Sequence, residues 1–316
     1  MKEIKITDIA GAQWGHASDE EGGTGLTVVL TEQLAPTGLD IRGGGPATRE
    51  TALLDPVASS SGIHALLLGG GSAFGLDAAG GVMAYLKDQG VGVDVGVARV
   101  PLVVQSNIFD LDYRSADAIP DASMAHAACL DAAARSAQQS ELPQGSVGVG
   151  TGATVGKAQG PSHASKSGVG HYAVQVGALQ MGALVVCNAI GDVFDIDTGQ
   201  QISGMRDGSG ALVSSEHYLY DMISGKVAPP SAHAHTTLAV VVTNAQFDKT
   251  QMTKIAAMAQ NGLARTIRPV HTSFDGDAVF AMSIGQLELP ALAIDAIGTL
   301  AAYVVGKAIN TAVRAA

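Results

Sequence analysis

One run near the last quarter of the chain limits the fold more than any other: Thr236-Thr237-Leu238-Ala239-Val240-Val241-Val242-Thr243-Asn244. An apolar, β-branched run opened by paired hydroxyl residues reads as a buried strand that begins at Thr236 or Thr237. Side chains on a strand alternate between faces, so the two hydroxyls point in opposite directions and only one can serve a site on a given face. The sequence does not say which. Threonine is also a good strand former, so strand propensity by itself would place such a pair there.

The remaining elements follow in chain order. Residues 3–8 alternate as a strand, residues 11–25 form a polar, glycine-rich loop, and residues 26–31 and 38–43 are the next strands. Ile63 to Leu68 is a short buried strand that empties into Gly69-Gly70-Gly71-Ser72, and a helix follows from Phe74 to Lys87. Such a turn resembles a phosphate-binding start, yet a dinucleotide fingerprint needs glycine at 74, where Phe74 stands. The turn therefore indicates close backbone packing, or a helix end that faces an anionic group. Residues 94–110 are β-rich, and Asp121 caps an alanine-rich helix that ends at Ser136.

Residues 145–160 are dense in glycine and small hydroxyl residues, as in a loop that approaches another backbone or a substrate closely. The Gly156-Lys157 pair inside it is not a P-loop, because Thr151 and Ala158 stand where glycine and Ser or Thr are required. Strands at 168–178, 181–188 and 191–197 come next, and a loose polar segment from Ser224 to His235 leads into the Thr236 strand. Asp248 caps a helix that carries Met252, Ile255, Ala256, Ala259 and Leu263 on one face. A strand at 278–284 and a long helix from Pro290 to Val313 close the chain. Strands and helices mix without a regular βαβ repeat, and no internal repeat appears.

Composition excludes several classes of function. A net charge of −11 with no cluster of Lys and Arg argues against nucleic acid. Cys129 and Cys187 are the only cysteines, which is too few for a disulfide framework. The segment Met1-Lys2-Glu3-Ile4-Lys5 lacks the apolar core of a signal peptide, and the weakly polar stretch Ala296 to Gly306 is too short to span a bilayer, so no membrane partner and a cytoplasmic location are expected. Charged residues make up only 15% of 316 residues, against roughly 25% in typical soluble domains. So little polar surface favours a packed homo-oligomer. His233, His235 and His271 show no metal-ligand spacing, and no metal or cofactor is expected.

Four stretches belong together: the Thr236 strand, Arg265 to Asp277, Gly150-Thr151-Gly152-Ala153-Thr154-Val155-Gly156-Lys157, and Val185-Val186-Cys187-Asn188. With Ala73-Phe74-Gly75-Leu76-Asp77-Ala78-Ala79 and Ile108-Phe109-Asp110-Leu111 they span nearly the whole chain. The chain resembles the P1 (DmpA-type) peptidase family of N-terminal nucleophile hydrolases, which includes D-aminopeptidases, β-peptidyl aminopeptidases and nylon-oligomer hydrolases.

The resemblance implies an α/β fold, a four-layer α/β/β/α sandwich shared with the ornithine acetyltransferases. It implies one hydrolase domain over residues 1–316, cleaved by itself between His235 and Thr236 into an α chain, 1–235, and a β chain, 236–316. Thr236 would then be the nucleophile, acting on a small peptide or amino-acid amide, in a tetramer of αβ units. An N-terminal Thr needs no triad, because its own α-amine, with a pKa of roughly 8, accepts the hydroxyl proton near neutral pH. The family match sets Lys157 beside that amine, where an ammonium lowers its pKa by like-charge repulsion.

Asn188 follows a buried strand, where its amide can donate to an oxyanion or close a turn. Asp275 and Asp277 are counter-charges for the amine and Lys157, or turn carboxylates, or metal ligands, the last disfavoured by the histidine spacing. Two positions depart from the family: His235 replaces Asn or Gly, and Phe109 stands where some members carry Tyr. Acting on aliphatic oligoamides, transferring an acyl group as the ornithine acetyltransferases do, and binding without catalysis are the alternatives.

Overall fold

The computed structural model describes residues 1–227, 235–290 and 293–316. The longer strands and their sheet neighbours are β1 (Lys2–Ile4), β2 (Ala12–Asp19), β3 (Thr24–Ala35), β4 (Thr37–Ile41), β5 (Ala47–Arg49), β6 (Ile63–Gly69), β7 (Val103–Asn107), β8 (Val169–Val176), β9 (Leu179–Asn188), β10 (Thr236–Ala245) and β11 (Ala278–Leu287), beside short strands in three small sheets. They form two large sheets. A six-stranded sheet has the order β1-β8-β9-β10-β11-β4, and a five-stranded sheet has the order β2-β3-β6-β7-β5. Only the β10/β11 and β6/β7 pairs in these sheets are parallel.

The helices are α1 (Ala79–Asp88), α2 (Ala122–Gln138), α3 (Ser215–Ile223), α4 (Lys249–Thr266) and α5 (Ala293–Arg314). Between the sheets, Leu66, Leu68 and Val104 meet Leu184, Val186, Leu238, Val240 and Phe280. On one outer face, Val82, Ala125, Ala128 and Ala132 of α1 and α2 cover Val28, Ala65 and Leu67. On the other, Ile255, Leu263, Val304 and Ala308 of α4 and α5 cover Val185, Ala239 and Val241. These contacts make the four layers α/β/β/α that the resemblance implied.

Burial on both faces explains why β10 has no polar alternation. Its even-numbered residues enter the layer between the sheets and its odd-numbered ones face the helices. Each fully buried Val or Leu side chain contributes on the order of 2 kcal/mol, so β10 is held firmly in the middle of its sheet. Helices α2 and α4 start at satisfied caps. Asp121 accepts from the Met124 amide, and Asp248 with Gln251 forms a reciprocal capping box at α4.

Several expected boundaries move. Residues 11–25 are not a loop: β2 pairs with β3 from Ala12↔Thr31 to Asp19↔Thr24. The glycine that suggested a loop serves packing instead, since a Cβ on Gly15 would lie 2.2 Å from the Ala128 carbonyl of α2. The strand expected at 3–8 ends at Ile4 and becomes a single 3-10 turn, Ile6–Asp8. The helix expected from Phe74 begins as a 3-10 segment, Ser72–Ala78, before α1, and the strand expected at 191–197 covers Asp192–Phe194.

The closing helix α5 has 22 residues and a mean hydropathy of 1.3 over its most apolar window, long and apolar enough to cross a bilayer by those measures. It is longer than the stretch judged too short. Ile297, Ala301, Val305 and Ile309 pack it into the protein core instead. Of the loose segment before Thr236, residues 228–234, including His233, lie outside the described residues.

Candidate active site

The candidate residues meet where β9 ends and β10 begins. Antiparallel pairing sets Asn188 opposite Thr236 and Cys187 opposite Thr237. Thr236 therefore shares a face with Leu238 and Val240, in the layer between the sheets, whereas Thr237 lies on the face of Ala239 and Val241 towards α4 and α5. The ambiguity in the sequence is resolved in this way: Thr236 is the hydroxyl on the side of Asn188 and Lys157.

The peptide group before Thr236 is gripped closely. The Thr236 hydroxyl donates to the carbonyl oxygen of His235 at 2.6 Å, and the Gly276 amide donates to the same oxygen at 2.6 Å. On its other side, the His235 amide donates to Phe274 O at 2.9 Å. A Cβ at position 276 would stand 2.6 Å from Thr236 Oγ1. Only glycine lets the segment before β11 lie so close to that hydroxyl.

The same segment carries both carboxylates. Asp277 Oδ1 accepts from the Thr237 amide at 2.7 Å, and its Oδ2 accepts from the His271 amide and lies 3.0 Å from His271 Nδ1. It thus fixes the start of β10 rather than pairing with Lys157. Asp275 Oδ2 closes a turn by accepting from the Thr272 amide and hydroxyl, each at 2.7 Å, while its buried Oδ1 has no hydrogen-bond partner among the described residues. Burial, and then the neighbouring charge of Asp277, push the Asp275 carboxyl up to about 6.

Lys157 is not the solvated cation that a loop position suggests, for it is 2% exposed. Its loop hangs on the chain just after β9 through Lys157 N to Ile190 O and Gly156 N to Gly191 O, 2.8 and 2.9 Å. Its Nζ donates to Asn188 Oδ1 at 2.7 Å. Burial lowers the ammonium to about 8, and Asp112, Asp275 and Asp110 oppose that shift. Near neutral pH the lysine therefore stays charged while sitting unusually close to deprotonation.

Asn188 has full engagements here. Its Oδ1 also accepts from the Thr154 amide at 3.0 Å, and its Nδ2 donates to Phe109 O at 2.7 Å. Position 109 thus contributes through its backbone, whatever its side chain. Asp110 answers the glycine turn after β6: its Oδ1 accepts from the Gly71 amide and its Oδ2 from the Thr24 hydroxyl, both at 2.7 Å. The anionic group facing that turn is the protein's own.

The fold thus brings Thr236, His235, Lys157, Asn188, Asp275 and Asp277 together. Sequence reasoning missed Gly276, His271, Asp110, Asp112 and Thr154. Asp110 lies in the Ile108-Phe109-Asp110-Leu111 stretch, so that signal was within reach; Gly276 and Thr154 act through backbone amides, which no residue type reveals. Among the described residues, no group of three or more His, Cys, Asp or Glu is arranged to hold a metal ion.

The sequence profile described as peptidase family S58 matches residues 5–316. An uncharacterized aminopeptidase of Mycobacterium leprae is 39% identical over 302 residues, covering 91% of this chain and 80% of that protein. The 6-aminohexanoate-oligomer endohydrolase of an Agromyces strain is 30% identical over 293 residues, covering 92% and 77%. Among solved structures, the L-aminopeptidase D-Ala-esterase/amidase of Ochrobactrum anthropi, described as a variant of the Ntn hydrolase fold, superposes with a TM-score of 0.71 at 16% identity. It covers 99% of this chain and 86% of that one.

Proposed function

The chain belongs to peptidase family S58 and is an amide-bond hydrolase, and on that premise we propose that it is a self-processing aminopeptidase whose nucleophile is Thr236. One observation carries this reading: in the uncut chain the Thr236 hydroxyl lies 2.6 Å from the His235 carbonyl oxygen, and the Gly276 amide already polarises that carbonyl. A hydroxyl on the residue after the bond, held against its carbonyl group with a second donor on the carbonyl oxygen, supports an N-to-O acyl shift, for which Oγ1 turns from the oxygen onto the carbonyl carbon.

In the first reaction Thr236 Oγ1 bonds to the His235 carbonyl carbon, the carbon–nitrogen bond breaks, and the hydroxyl proton ends on the released Thr236 nitrogen. Water then hydrolyses the ester, leaving a carboxylate on His235 and restoring the Thr236 hydroxyl. The freed α-amine is the base for turnover. It takes the hydroxyl proton as Oγ1 attacks a substrate amide and passes it to the departing amine; water releases the acyl group from Thr236. Lys157 is the cation that keeps this amine neutral by repulsion, and Asp275 offers its unpartnered Oδ1 to the new terminus.

Small peptides and amino-acid amides are the substrates this reading favours. The similarity to a 6-aminohexanoate-oligomer endohydrolase supports aliphatic oligoamides as a second class. A panel of amino-acid p-nitroanilides, β-peptides and aliphatic oligoamides, assayed with the wild type and with Thr236→Ala, tests the reading. Hydrolysis by the wild type and none by the variant is expected; equal activity in both would refute the nucleophile.

A further inference from the structure

His271 stands in the segment that leads into β11, and it is held there at two costs. Its φ of +58° lies in the left-handed region, which few residues other than glycine enter, and then with strain. Its side chain is 16% exposed, and Nε2 is buried with no hydrogen-bond partner among the described residues. Glycine would avoid both costs. What the ring provides in return is at its other nitrogen, Nδ1, 3.0 Å from Asp277 Oδ2.

A carboxylate oxygen only accepts, so this contact places the ring proton on Nδ1. Three N–H groups then converge on the buried Asp277 carboxylate. The His271 ring and the His271 amide reach Oδ2, both at 3.0 Å, and the Thr237 amide reaches Oδ1 at 2.7 Å. With both Oδ2 donors on one residue the plane of the carboxylate is fixed, and Oδ1 is aimed at the backbone one residue beyond Thr236.

That aim matters more after the cut than before it. In the uncut chain Thr236 is bonded to His235, whose amide donates to Phe274 O and whose carbonyl accepts from the Gly276 amide. Cutting releases Thr236 from this grip. Its amine and hydroxyl are then located by what holds the start of β10: the pairing with Asn188 and the bond from the Thr237 amide to Asp277.

We propose that His271 is a positioning residue for turnover: through Asp277 it holds the new terminus at Thr236 where amine and hydroxyl work together. The proposal rests on the reading of Thr236 as nucleophile. A merely structural role for the same ring would weaken folding, processing and turnover alike.

Three substitutions separate the roles. His271→Asn keeps an N–H near the place of Nδ1 and suits the left-handed backbone, His271→Gln carries its amide one bond too far, and His271→Ala removes the donor. In His271→Ala, mass spectrometry should still show the chains 1–235 and 236–316. On the p-nitroanilide that the wild type cleaves best, its kcat should fall on the order of 100-fold with KM changed by no more than about twofold. His271→Gln should turn over as poorly, and His271→Asn should recover to within roughly tenfold of the wild type. A folded but uncut His271→Ala chain, a rise in KM at unchanged kcat, or equal turnover in the Asn and Gln variants would overturn the proposal. Should His271→Ala not fold, the comparison of Asn with Gln decides alone. Failure of the underlying reading would show in a different sample: a Thr236→Ala chain that is still cut or still hydrolyses would fault the nucleophile, whatever the His271 variants do.

Discussion

At position 276 a single hydrogen in place of a methyl group decides whether the Thr236 hydroxyl can lie where it does. Gly276→Ala would push a Cβ to 2.6 Å from Thr236 Oγ1, so the variant should accumulate as uncut chain, seen by electrophoresis, while its folded content by circular dichroism matches the wild type. Lys157→Met should lower turnover on the order of 100-fold yet change thermal stability by about 1 kcal/mol or less. The methionine fills the same buried space without a charge to bury, and Asn188 Oδ1 keeps the Thr154 amide. A loss of stability in step with activity would make Lys157 structural.

Asp275 gives a pH dependence. Its folded-state pKa is raised to about 6, so the folded chain binds its proton more tightly than the unfolded one. That contribution to stability is complete below the unfolded value, about 4, and is lost as pH rises through 6. In the uncut Thr236→Ala chain, melting temperature should fall between these two values, and Asp275→Asn should flatten the fall; an unchanged slope would contradict it. The site's residues were legible only through the family resemblance, because a strand Thr, a loop Lys, a strand-end Asn and two turn carboxylates each have an ordinary structural reading. Asp112 was not legible, because its charge bears on Lys157 only once the fold brings the two together.

The elements read best where burial is one-sided or complete. Strand β10 was found from composition alone, since Leu238 to Val242 are apolar without alternation, and α2 and α4 were found from Asp121 and Asp248 followed by helical spacing. Strand β2 was misread as a loop because Gly11, Gly15, Gly22 and Gly23 signal turns, whereas Gly15 instead admits α2 against the sheet. The start of α1 was blurred by a 3-10 turn, which shares the local residue preferences of a helix. Capping belongs to this scale. Asp248→Ala should cost about 1 kcal/mol by removing the acceptor for the Gln251 amide. The change is read by urea denaturation, with processing unaltered; a processing defect would mean that α4 also governs the site.

The whole molecule is one pair of sheets with the candidate site at the start of a central strand, so cutting the chain before Thr236 leaves β10 hydrogen-bonded to β9 and β11. The layers themselves came from family resemblance rather than from periodicity, because doubly covered strands carry no faces to read. Low charge also belongs here, and with Val93, Val95, Val97 and Val100 exposed on one hairpin it leads us to expect a homo-oligomer. Light scattering in solution should give a mass well above 31.9 kDa; a protein of that mass would refute it.

The central claim is that Thr236 cuts the chain before itself, and mass spectrometry of the purified, denatured protein tests it most directly. The wild type should give two chains, 1–235 and 236–316, and Thr236→Ser and Thr237→Val should give the same two. Thr237 lies on the helix-facing side opposite Cys187, and Thr236→Ala should give the intact chain alone. A cut between 235 and 236 in Thr236→Ala, or an uncut chain in Thr237→Val, would contradict the account.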